Sequence, residues 1–318
     1  MVNALITGIA GFAGSHLAEL LLAKGYRVAG LDRTVERAEN LQGIRHRLEL
    51  HACDLRDSDR VKEIISSVKP DEIYHLAAMA HDPTSFSDVR LTFDVNLNGT
   101  LNVLEGIREA SVATKVLYVG TASEYGAVRD TDIPTHEDVP FRPVDPYGVS
   151  KAAADMLAYQ YHKSYGLHIV RVRPFNHVGP RQSPEYLVAS LARQVAQIEK
   201  GLVEPVLAVG NLESRRDLTD VRDMVLGYQL AIRDGEAGEV YNICSEEAVS
   251  VREVLDRLLS MTGTRMTVRQ DPNRLRASDV PLVLGDCTRF RERTGWKTTI
   301  PLATTLRDTL EYWRATVR

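Results

Sequence analysis

A glycine-rich turn near the amino terminus constrains the fold of this 318-residue chain more than any other feature. An apolar run at 4–6 leads into Gly8, Gly11 and Gly14, and a helical pattern covers 12–24. The first glycine permits a tight turn, the second lets the backbone approach a pyrophosphate, and the third allows the helix to pack closely on the strand. Because a helix amino terminus favours anions, the segment predicts a dinucleotide-binding unit.

The next strand bears on which dinucleotide is bound. The apolar run 26–31 ends at Asp32, and an acid at this point suits the ribose hydroxyls of NAD and repels the 2′-phosphate of NADP. Arg33 follows directly, and its guanidinium suits that phosphate. The two residues together favour NAD(H) and leave NADP(H) open.

Strand and helix patterns alternate along the first half of the chain. Strands are predicted at 3–7, 26–31, 48–52, 72–76, 116–120 and 168–173, and helices at 12–24, 57–67, 94–110 and 147–166. This alternation predicts an α/β protein with a doubly wound parallel sheet, a Rossmann domain over 1–175. The pattern changes after Pro174, so 176–318 is expected to be mainly a smaller α/β substrate-binding domain, with segments near 212–245 returning to the first.

Composition argues against several classes of partner. The net charge is −4 and there is no basic tract, so neither nucleic acid nor an anionic membrane is expected as a partner. No apolar run is long enough to span a bilayer. The three cysteines, Cys53, Cys244 and Cys287, are far apart and form no metal-binding or disulfide pattern. We therefore expect reduced thiols, no metal and a cytoplasmic location.

A Tyr-x-x-x-Lys spacing carries the chemistry. Tyr147 and Lys151 would share one face of a helix, and an ammonium beside a phenol lowers the phenol pKa. Such a phenol exchanges protons near neutral pH, as carbonyl–alcohol interconversion requires. The spacing alone is weak, but it occurs here with the glycine-rich turn and with Thr121, which follows the apolar run 116–119.

With these residues the chain resembles the extended short-chain dehydrogenase/reductases, nucleotide-sugar enzymes with a Rossmann domain and a small carboxyl-terminal substrate domain. Segments 53–55, 75–78 and 96–100 support the resemblance. It implies that Thr121, Tyr147 and Lys151 are catalytic. It also implies that NAD(H) or NADP(H) is held by Gly8, Gly11, Phe12, Gly14, Asp32, Arg33, Asp54, Leu55, Leu76, Ala77, Ala78, Asn96, Tyr147 and Lys151.

Segments 173–180, 209–217 and 274–281 narrow the resemblance to the GDP-mannose branch, which holds GDP-mannose 4,6-dehydratases and GDP-4-dehydro-6-deoxy-D-mannose reductases. The resemblance implies that Asn176, Arg216 and Arg276 hold the GDP moiety and that Asp279 lies near its base or ribose. Guanidinium groups suit diphosphates by charge and by bidentate geometry. A GDP-sugar is therefore the expected substrate.

One departure separates the two enzymes of this branch. Dehydratases carry an acid two residues after the catalytic Thr, and here Ser123 occupies that place beside the substrate. Glu124 is one residue away and in an extended segment would face the opposite side, unless a bulge intervenes. This favours reduction of GDP-4-dehydro-6-deoxy-D-mannose at C4 to a product such as GDP-D-rhamnose. Arg181 occupies a position where reductases tend to have glycine, which argues slightly against the reductase.

Two alternatives stay open at this stage. A GDP-mannose 4,6-dehydratase or a nucleotide-sugar 4-epimerase would use the same three residues and regenerate a retained cofactor. A dinucleotide sensor without catalysis is a third class, disfavoured by the intact Thr121, Tyr147 and Lys151.

The helices at 94–110 and 147–166 are expected to form a homodimer interface, as they do in related enzymes. Their apolar stripes exceed what one sheet face needs and comprise Val95, Leu101, Val103, Leu104, Ala152, Met156, Leu157 and Tyr161.

Overall fold

The computed structural model describes residues 1–35, 38–80, 82–111, 113–274 and 280–318. In chain order, the strands are β1 (Asn3–Thr7), β2 (Arg27–Asp32), β3 (Leu48–Ala52), β4 (Glu72–His75), β5 (Lys115–Val119), β6 (His168–Pro174), β7 (Asn176–Val178), β8 (Val206–Val209), β9 (Arg215–Asp220), β10 (Val240–Ile243), β11 (Ala248–Ser250), β12 (Thr267–Gln270) and β13 (Leu282–Val283). The helices are α1 (Phe12–Ala23), α2 (Ser58–Val68), α3 (Asp82–Ser87), α4 (Val89–Phe93), α5 (Gly99–Ala110), α6 (Pro146–Tyr165), α7 (Leu187–Glu199), α8 (Val221–Asp234), α9 (Val251–Ser260), α10 (Thr288–Thr294) and α11 (Leu302–Thr316).

The central sheet has seven parallel strands in the order β3-β2-β1-β4-β5-β6-β10. The first six have the strand order of a Rossmann sheet, with the reversal point beside β1. The doubly wound parallel sheet predicted from the sequence is confirmed, and each of the six predicted strands is present with its ends moved by one residue at most. The seventh strand, β10, pairs with β6 after the chain has passed through β7, β8 and β9.

Apolar side chains fill both faces of this sheet. Helices α1 and α8 cover one face, where Leu17, Leu21 and Met224 lie in one buried cluster. Helices α2, α5 and α6 cover the other, where Ile64 and Val103 belong to a second cluster. Because both faces are covered, inner strands such as β1 and β5 carry short continuous apolar runs, whereas the edge strand β3 is only half-buried.

The smaller unit has its own apolar core between α7, α9 and α11, with Leu191, Leu255 and Leu306 at its centre. Strands β11, β9 and β13 form a small sheet to which β7 adds beside β9, and β12 pairs with β8. Strand β7 follows β6 directly, so this small sheet stands next to the carboxyl edge of the central sheet.

The predicted helix at 94–110 is wrong in its first turn. Residues Asp94–Asn98 are π-helical, and regular α-helix begins at Gly99. The Thr100 hydroxyl donates a hydrogen bond to the carbonyl oxygen of Asn96 at 2.6 Å, so this carbonyl has a side-chain partner within the irregular turn. The short helices α3 and α4, which precede this segment, were not predicted.

Most of the apolar side chains expected at a dimer interface pack within the protomer. Val103, Leu104, Ala152 and Tyr161 are buried in the chain's own core, because α5 and α6 pack on the sheet and on each other. Met156 alone of the eight is largely exposed, at 64%. Other exposed apolar side chains on these and the preceding helices are Phe86, Val89, Val149 and Tyr159.

Two further observations concern the described residues only. None of their helices combines the length and apolar character needed to cross a bilayer. All three cysteines are buried free thiols.

Candidate active site

The carboxyl ends of β1, β2, β4, β5 and β6 open into one long cleft between the central sheet and the smaller unit. Its volume is about 1920 Å³, whereas pockets for single small ligands span about 300–1,000 Å³. In open α/β sheets, ligands bind at this edge, next to the point where the strand order reverses. The cleft therefore has room for a dinucleotide and for a second ligand of similar size.

The glycine-rich turn forms one end of the cleft. Gly8 has φ +74°, and a Cβ there would lie 2.9 Å from the backbone of Ala77. A Cβ on Gly14 would lie 2.2 Å from the carbonyl oxygen of Gly8, so only glycine lets α1 start this close to β1. Gly11 is the N-cap of α1 and supplies no side-chain acceptor, and Gly11, Phe12 and Gly14 line the cleft. The first turn of α1 thus presents backbone N–H groups to a bound anion, which fits a dinucleotide pyrophosphate.

The end of β2 meets the glycine-rich turn. Oδ2 of Asp32 accepts a hydrogen bond from the Ala10 N–H at 3.0 Å, so its carboxylate also orders the turn. Asp32 and Arg33 both line the cleft. Asp54 lines it as well, and the Arg56 guanidinium lowers the pKa of that carboxyl to about 2. The remaining predicted cofactor residues on the cleft wall are Leu55, Leu76, Ala77 and Ala78.

Asn96 lies behind the cleft wall. It is buried, and its side-chain amide accepts from Met79 N–H at 2.7 Å and donates to Ser150 Oγ at 2.9 Å. Met79 itself lines the cleft, and Ser150 adjoins Lys151 on α6. In this arrangement Asn96 joins the loop after β4 to α6, and it lies behind the cleft wall, whereas the sequence analysis expected it to contact the cofactor.

The start of α6 brings Tyr147 and Lys151 to the cleft. Asp145 is the N-cap and accepts from Gly148 N–H at 2.7 Å, and Pro146 occupies the first helical turn. Tyr147 and Lys151 line the cleft together with Thr121, which follows β5. The three residues predicted to be catalytic therefore share one wall.

Lys151 is almost fully buried beneath the cleft floor. Its Nζ donates to the carbonyl oxygen of Val119 at 2.6 Å and lies 4.4 Å from the ring centroid of Tyr118. Burial lowers the pKa of the Lys151 ammonium, while the carboxylates of Glu124 and Asp155 raise it. An ammonium so placed favours the phenolate form of a nearby phenol.

The segment after Thr121 departs from the sequence analysis. Residues Ala122–Glu124 form a 3-10 turn, so the assumption of an extended backbone is wrong. The Thr121 hydroxyl accepts from Ser123 N–H at 3.2 Å, which starts the turn. Glu124 nevertheless faces away from the cleft and is fully buried, whereas Ser123 lines the cleft.

Two of the predicted substrate residues lie where the smaller unit borders the cleft, which the resemblance implies is its substrate end. Asn176 on β7 and Arg216 on β9 both line it. Nη1 of Arg216 donates to the carbonyl oxygens of Arg215 at 2.9 Å and Val280 at 2.8 Å, which fixes the direction of the guanidinium. Arg276 and Asp279 lie outside the described residues.

Two arginines in the cleft were not assigned a binding role from the sequence. Arg274 lines the substrate end, and its Nη1 donates to Ser190 Oγ at 3.1 Å. Arg181 lies at the cofactor end, where it pairs with Glu19 and donates to the carbonyl oxygen of Asn40 at 3.1 Å. Arg274 is the first residue of the recognised segment 274–281 and was within reach of sequence reasoning, but the contacts of Arg181 span more than 140 positions.

Two histidines beside the glycine-rich turn are held by packing and hydrogen bonds. Nε2 of His16 donates to the carbonyl oxygen of Pro180 at 3.0 Å, and burial lowers the pKa of His16 to about 4. The His177 ring stacks on Phe12 with centroids 5.7 Å apart, and its Nδ1 donates to the carbonyl oxygen of Phe175. Burial also lowers the pKa of His177. These contacts join α1 to the loops that follow β6.

Comparison with known proteins places this site in a family. The family model for GDP-mannose 4,6 dehydratase matches residues 5–309. The chain is 34% identical over 313 residues to GDP-6-deoxy-D-mannose reductase of Pseudomonas aeruginosa, covering 98% of this chain and 97% of that one. Two solved structures share the fold over 99% of this chain. They are RMD from Pseudomonas aeruginosa complexed with NADPH (32% identity, TM-score 0.86, 100% of that chain) and Thermus thermophilus UDP-glucose 4-epimerase in complex with NAD (33%, 0.87, 99%).

The family match runs from β1 into α11, so it includes the glycine-rich turn and all three predicted catalytic residues. The reductase of Pseudomonas aeruginosa is similar over almost the whole length of both chains. This chain therefore belongs to the GDP-mannose 4,6 dehydratase family.

Proposed function

We propose that the protein uses NAD(P)H to reduce GDP-4-dehydro-6-deoxy-D-mannose at C4, giving a GDP-6-deoxyhexose such as GDP-D-rhamnose. One observation carries the proposal. Thr121, Tyr147 and Lys151 line the same cleft as Ser123, and Glu124 is buried behind it. By the resemblance, dehydratases carry the acid of elimination two residues after the threonine, where this chain has Ser123. The similarity to GDP-6-deoxy-D-mannose reductase supports the same conclusion.

Each residue of the site would have a distinct role in the reduction. The glycine-rich turn and Asp32 would hold the cofactor, which supplies the hydride when bound. Tyr147 would donate its phenolic proton to the C4 oxygen, and Thr121 would hydrogen-bond the same oxygen and orient it. Lys151 would stabilise the resulting phenolate by its charge and bind the nicotinamide ribose.

The substrate end would hold the nucleotide. Arg216 carries a positive charge into the cleft on a fixed strand, and Asn176 adds an amide at the start of β7. Both groups suit a diphosphate and the sugar attached to it. Arg276 and Asp279 remain predicted contacts of the GDP moiety.

A direct assay tests the proposal. The purified protein is incubated with GDP-4-dehydro-6-deoxy-D-mannose and NADH or NADPH, and the product is identified by mass and by NMR. We expect coenzyme oxidation coupled to formation of a GDP-6-deoxyhexose, and NMR then gives the configuration at C4. Absence of coenzyme oxidation with a protein that binds the cofactor would reject the proposal.

A nucleotide-sugar 4-epimerase is the second candidate. The observation that favours it is the likeness to the UDP-glucose 4-epimerase of Thermus thermophilus, solved with NAD. An epimerase regenerates its coenzyme within the cycle, so it retains the coenzyme through purification. A stoichiometric nicotinamide absorbance in the isolated protein, with no net coenzyme consumption during turnover, would favour this candidate.

Changing Asp32 should alter coenzyme choice. Asp32→Ala removes the charge that repels a 2′-phosphate and leaves Arg33 to pair with it, so the preference should move toward NADPH. Asp32→Asn is the matched variant, because it also removes the charge but keeps an acceptor for the Ala10 N–H. The measurement is kcat/KM with each coenzyme. If the ratio of kcat/KM with NADH to kcat/KM with NADPH is unchanged in both variants, Asp32 does not determine the choice between the two coenzymes.

We further propose that the protein is a homodimer formed through α5 and α6. The exposed apolar side chains Phe86, Val89, Val149, Met156 and Tyr159 support this surface. Light scattering at micromolar concentration should give twice the mass of the 35.4 kDa chain. Met156→Glu places a charge in the interface and should shift the mass to that of one chain, while a monomeric mass for the unchanged protein would reject the proposal.

A further inference from the structure

A cluster of buried charges lies beneath the catalytic wall. Glu124, Asp155, Arg171 and Arg173 are all buried. Nε of Arg173 lies 3.2 Å from Oε2 of Glu124 and 3.2 Å from Oδ2 of Asp155, and Arg171 pairs with the other oxygen of Asp155. Buried charges persist only when they are paired and hydrogen-bonded. The cluster is adjacent to the site and touches it through Glu124.

The Glu124 side chain forms a hydrogen bond with the backbone of Thr121. Its Oε1 accepts from the Thr121 N–H at 2.9 Å, while the Thr121 hydroxyl accepts from Ser123 N–H, so the two side chains cap the turn reciprocally. A Cβ on Gly120 would lie 2.4 Å from Oε1, so the chain keeps this space for the carboxylate. The carboxylate therefore fixes where the Thr121 backbone enters the cleft.

Glu124 also bears on the charge of Lys151. The ionisable or charged groups around Lys151 come from several elements, and they are His75 (β4), Tyr118 (β5), Glu124 (the 3-10 turn), Tyr147 and Asp155 (α6), and Arg173 (β6). Burial lowers the pKa of Lys151, and among the described residues the carboxylates of Glu124 and Asp155 raise it. Burial and the Asp155 carboxylate raise the pKa of Glu124 to about 8, against the opposing charges of Arg173 and Lys151. The Glu124 carboxylate is therefore charged in the alkaline range in which a phenol titrates.

We infer that Glu124 is a positioning residue of this site, which fixes Thr121 by capping its backbone and provides a buried counter-charge to Lys151. The inference rests on the proposed function for the roles of Thr121 and Lys151. It gives Glu124 a part in reduction that is unrelated to elimination. The carboxylate acts from behind the cleft wall, through two residues that face the substrate.

Three variants separate the two actions of Glu124. Glu124→Gln keeps an acceptor for the Thr121 N–H and removes the charge, whereas Glu124→Ala removes both. Asp155→Asn removes the other carboxylate that faces Lys151 and leaves the Thr121 cap intact. Glu137→Gln is the matched control, because Glu137 is a buried acid that contacts Arg289 and the Asn242 N–H and does not act on Lys151.

The first readout needs neither coenzyme nor sugar. Ultraviolet absorbance follows phenolate formation with pH, and subtracting the titration of Tyr147→Phe, made in each background, isolates Tyr147. Removing a negative charge favours the deprotonated forms of the coupled Tyr147–Lys151 pair, so its macroscopic pKa values fall. We expect Glu124→Gln and Asp155→Asn to lower the apparent pKa by about one pH unit, and Glu137→Gln to leave it unchanged.

The second readout is turnover with the keto-sugar. In Glu124→Gln the alkaline limb of kcat should move to lower pH by the same amount as the phenolate titration. In Glu124→Ala, loss of the cap should lower kcat by a further factor on the order of tenfold to a hundredfold with KM little changed, because the Thr121 hydroxyl is misplaced. Thermal unfolding checks that each variant is folded.

The possible outcomes are distinct. The counter-charge would be overturned if Glu124→Gln titrates like the parent protein, or if Glu137→Gln shows the same shift as Glu124→Gln. The positioning of Thr121 would be overturned if Glu124→Ala and Glu124→Gln have equal kcat. If Glu124→Gln does not fold, Asp155→Asn decides the charge effect in the same titration. A protein that fails to reduce the keto-sugar but shows the phenolate shift would reject the proposed function and leave the counter-charge standing.

Discussion

Tyr147→Phe should lower kcat for reduction of the keto-sugar by on the order of a hundredfold or more, with folding unchanged. The substitution removes only a phenolic oxygen, so packing at the start of α6 is nearly conserved while the proton for C4 is lost. A hundredfold loss corresponds to about 2.7 kcal/mol of transition-state stabilisation. Steady-state kinetics with saturating coenzyme measures the effect.

A second tyrosine on the same helix provides the control. Tyr165 is the last residue of α6 and is 52% exposed, so Tyr165→Phe removes an equivalent oxygen far from the cleft and should keep wild-type turnover. Both variants should melt close to the parent protein. Near-wild-type turnover by Tyr147→Phe would show that another group donates the proton, and the assignment of the catalytic residues would fail.

The central sheet was predictable because its strands are buried on both faces. Runs such as 4–6 and 116–119 are short and apolar, and each is followed by a turn, so length and flanking residues together identify them. The glycine-rich turn was equally readable, since its spacing follows from steric limits that only glycine meets. Local sequence was sufficient wherever the structure depends on neighbours along the chain.

The sequence was a poor guide where side chains from distant segments decide the geometry. The contacts of Asn96 with Met79 and Ser150 span 17 and 54 positions, so its place behind the cleft wall could not be seen in the local sequence. The apolar stripe at Val103 and Leu104 was assigned to a partner because its burial against α2 could not be seen. The prediction that Glu124 faces away from the cleft is correct, but the extended backbone from which it was argued is wrong. The ion pair with Arg173 on β6 holds Glu124 there, and the local sequence does not show that contact.

The second large effect expected is the absence of dehydratase activity. Given GDP-mannose and NAD(P)+, the protein should form little or no 4-keto-6-deoxy product, while the keto-sugar should consume NAD(P)H. Elimination of water needs a general acid–base, and each such group is worth about a hundred- to ten-thousandfold in rate. Ser123, two residues after Thr121, lines the cleft, and the Glu124 carboxylate is held behind the wall by the Thr121 N–H and Arg173. Mass and NMR analysis of the products measures both reactions.

Ser123→Glu tests the same argument in reverse, because it puts a carboxylate at a residue that already faces the cleft. Weak elimination is the expected gain, since one carboxylate without supporting contacts is often misplaced by about an ångström. Ser123→Gln is the matched control, with the same length and no acid, and should show no elimination. Robust dehydration by the unmodified protein would mean that Glu124 leaves Arg173 and reaches the substrate. The proposed function would then change to GDP-mannose 4,6-dehydratase, because the residue that positions Thr121 in reduction would instead be the acid of elimination.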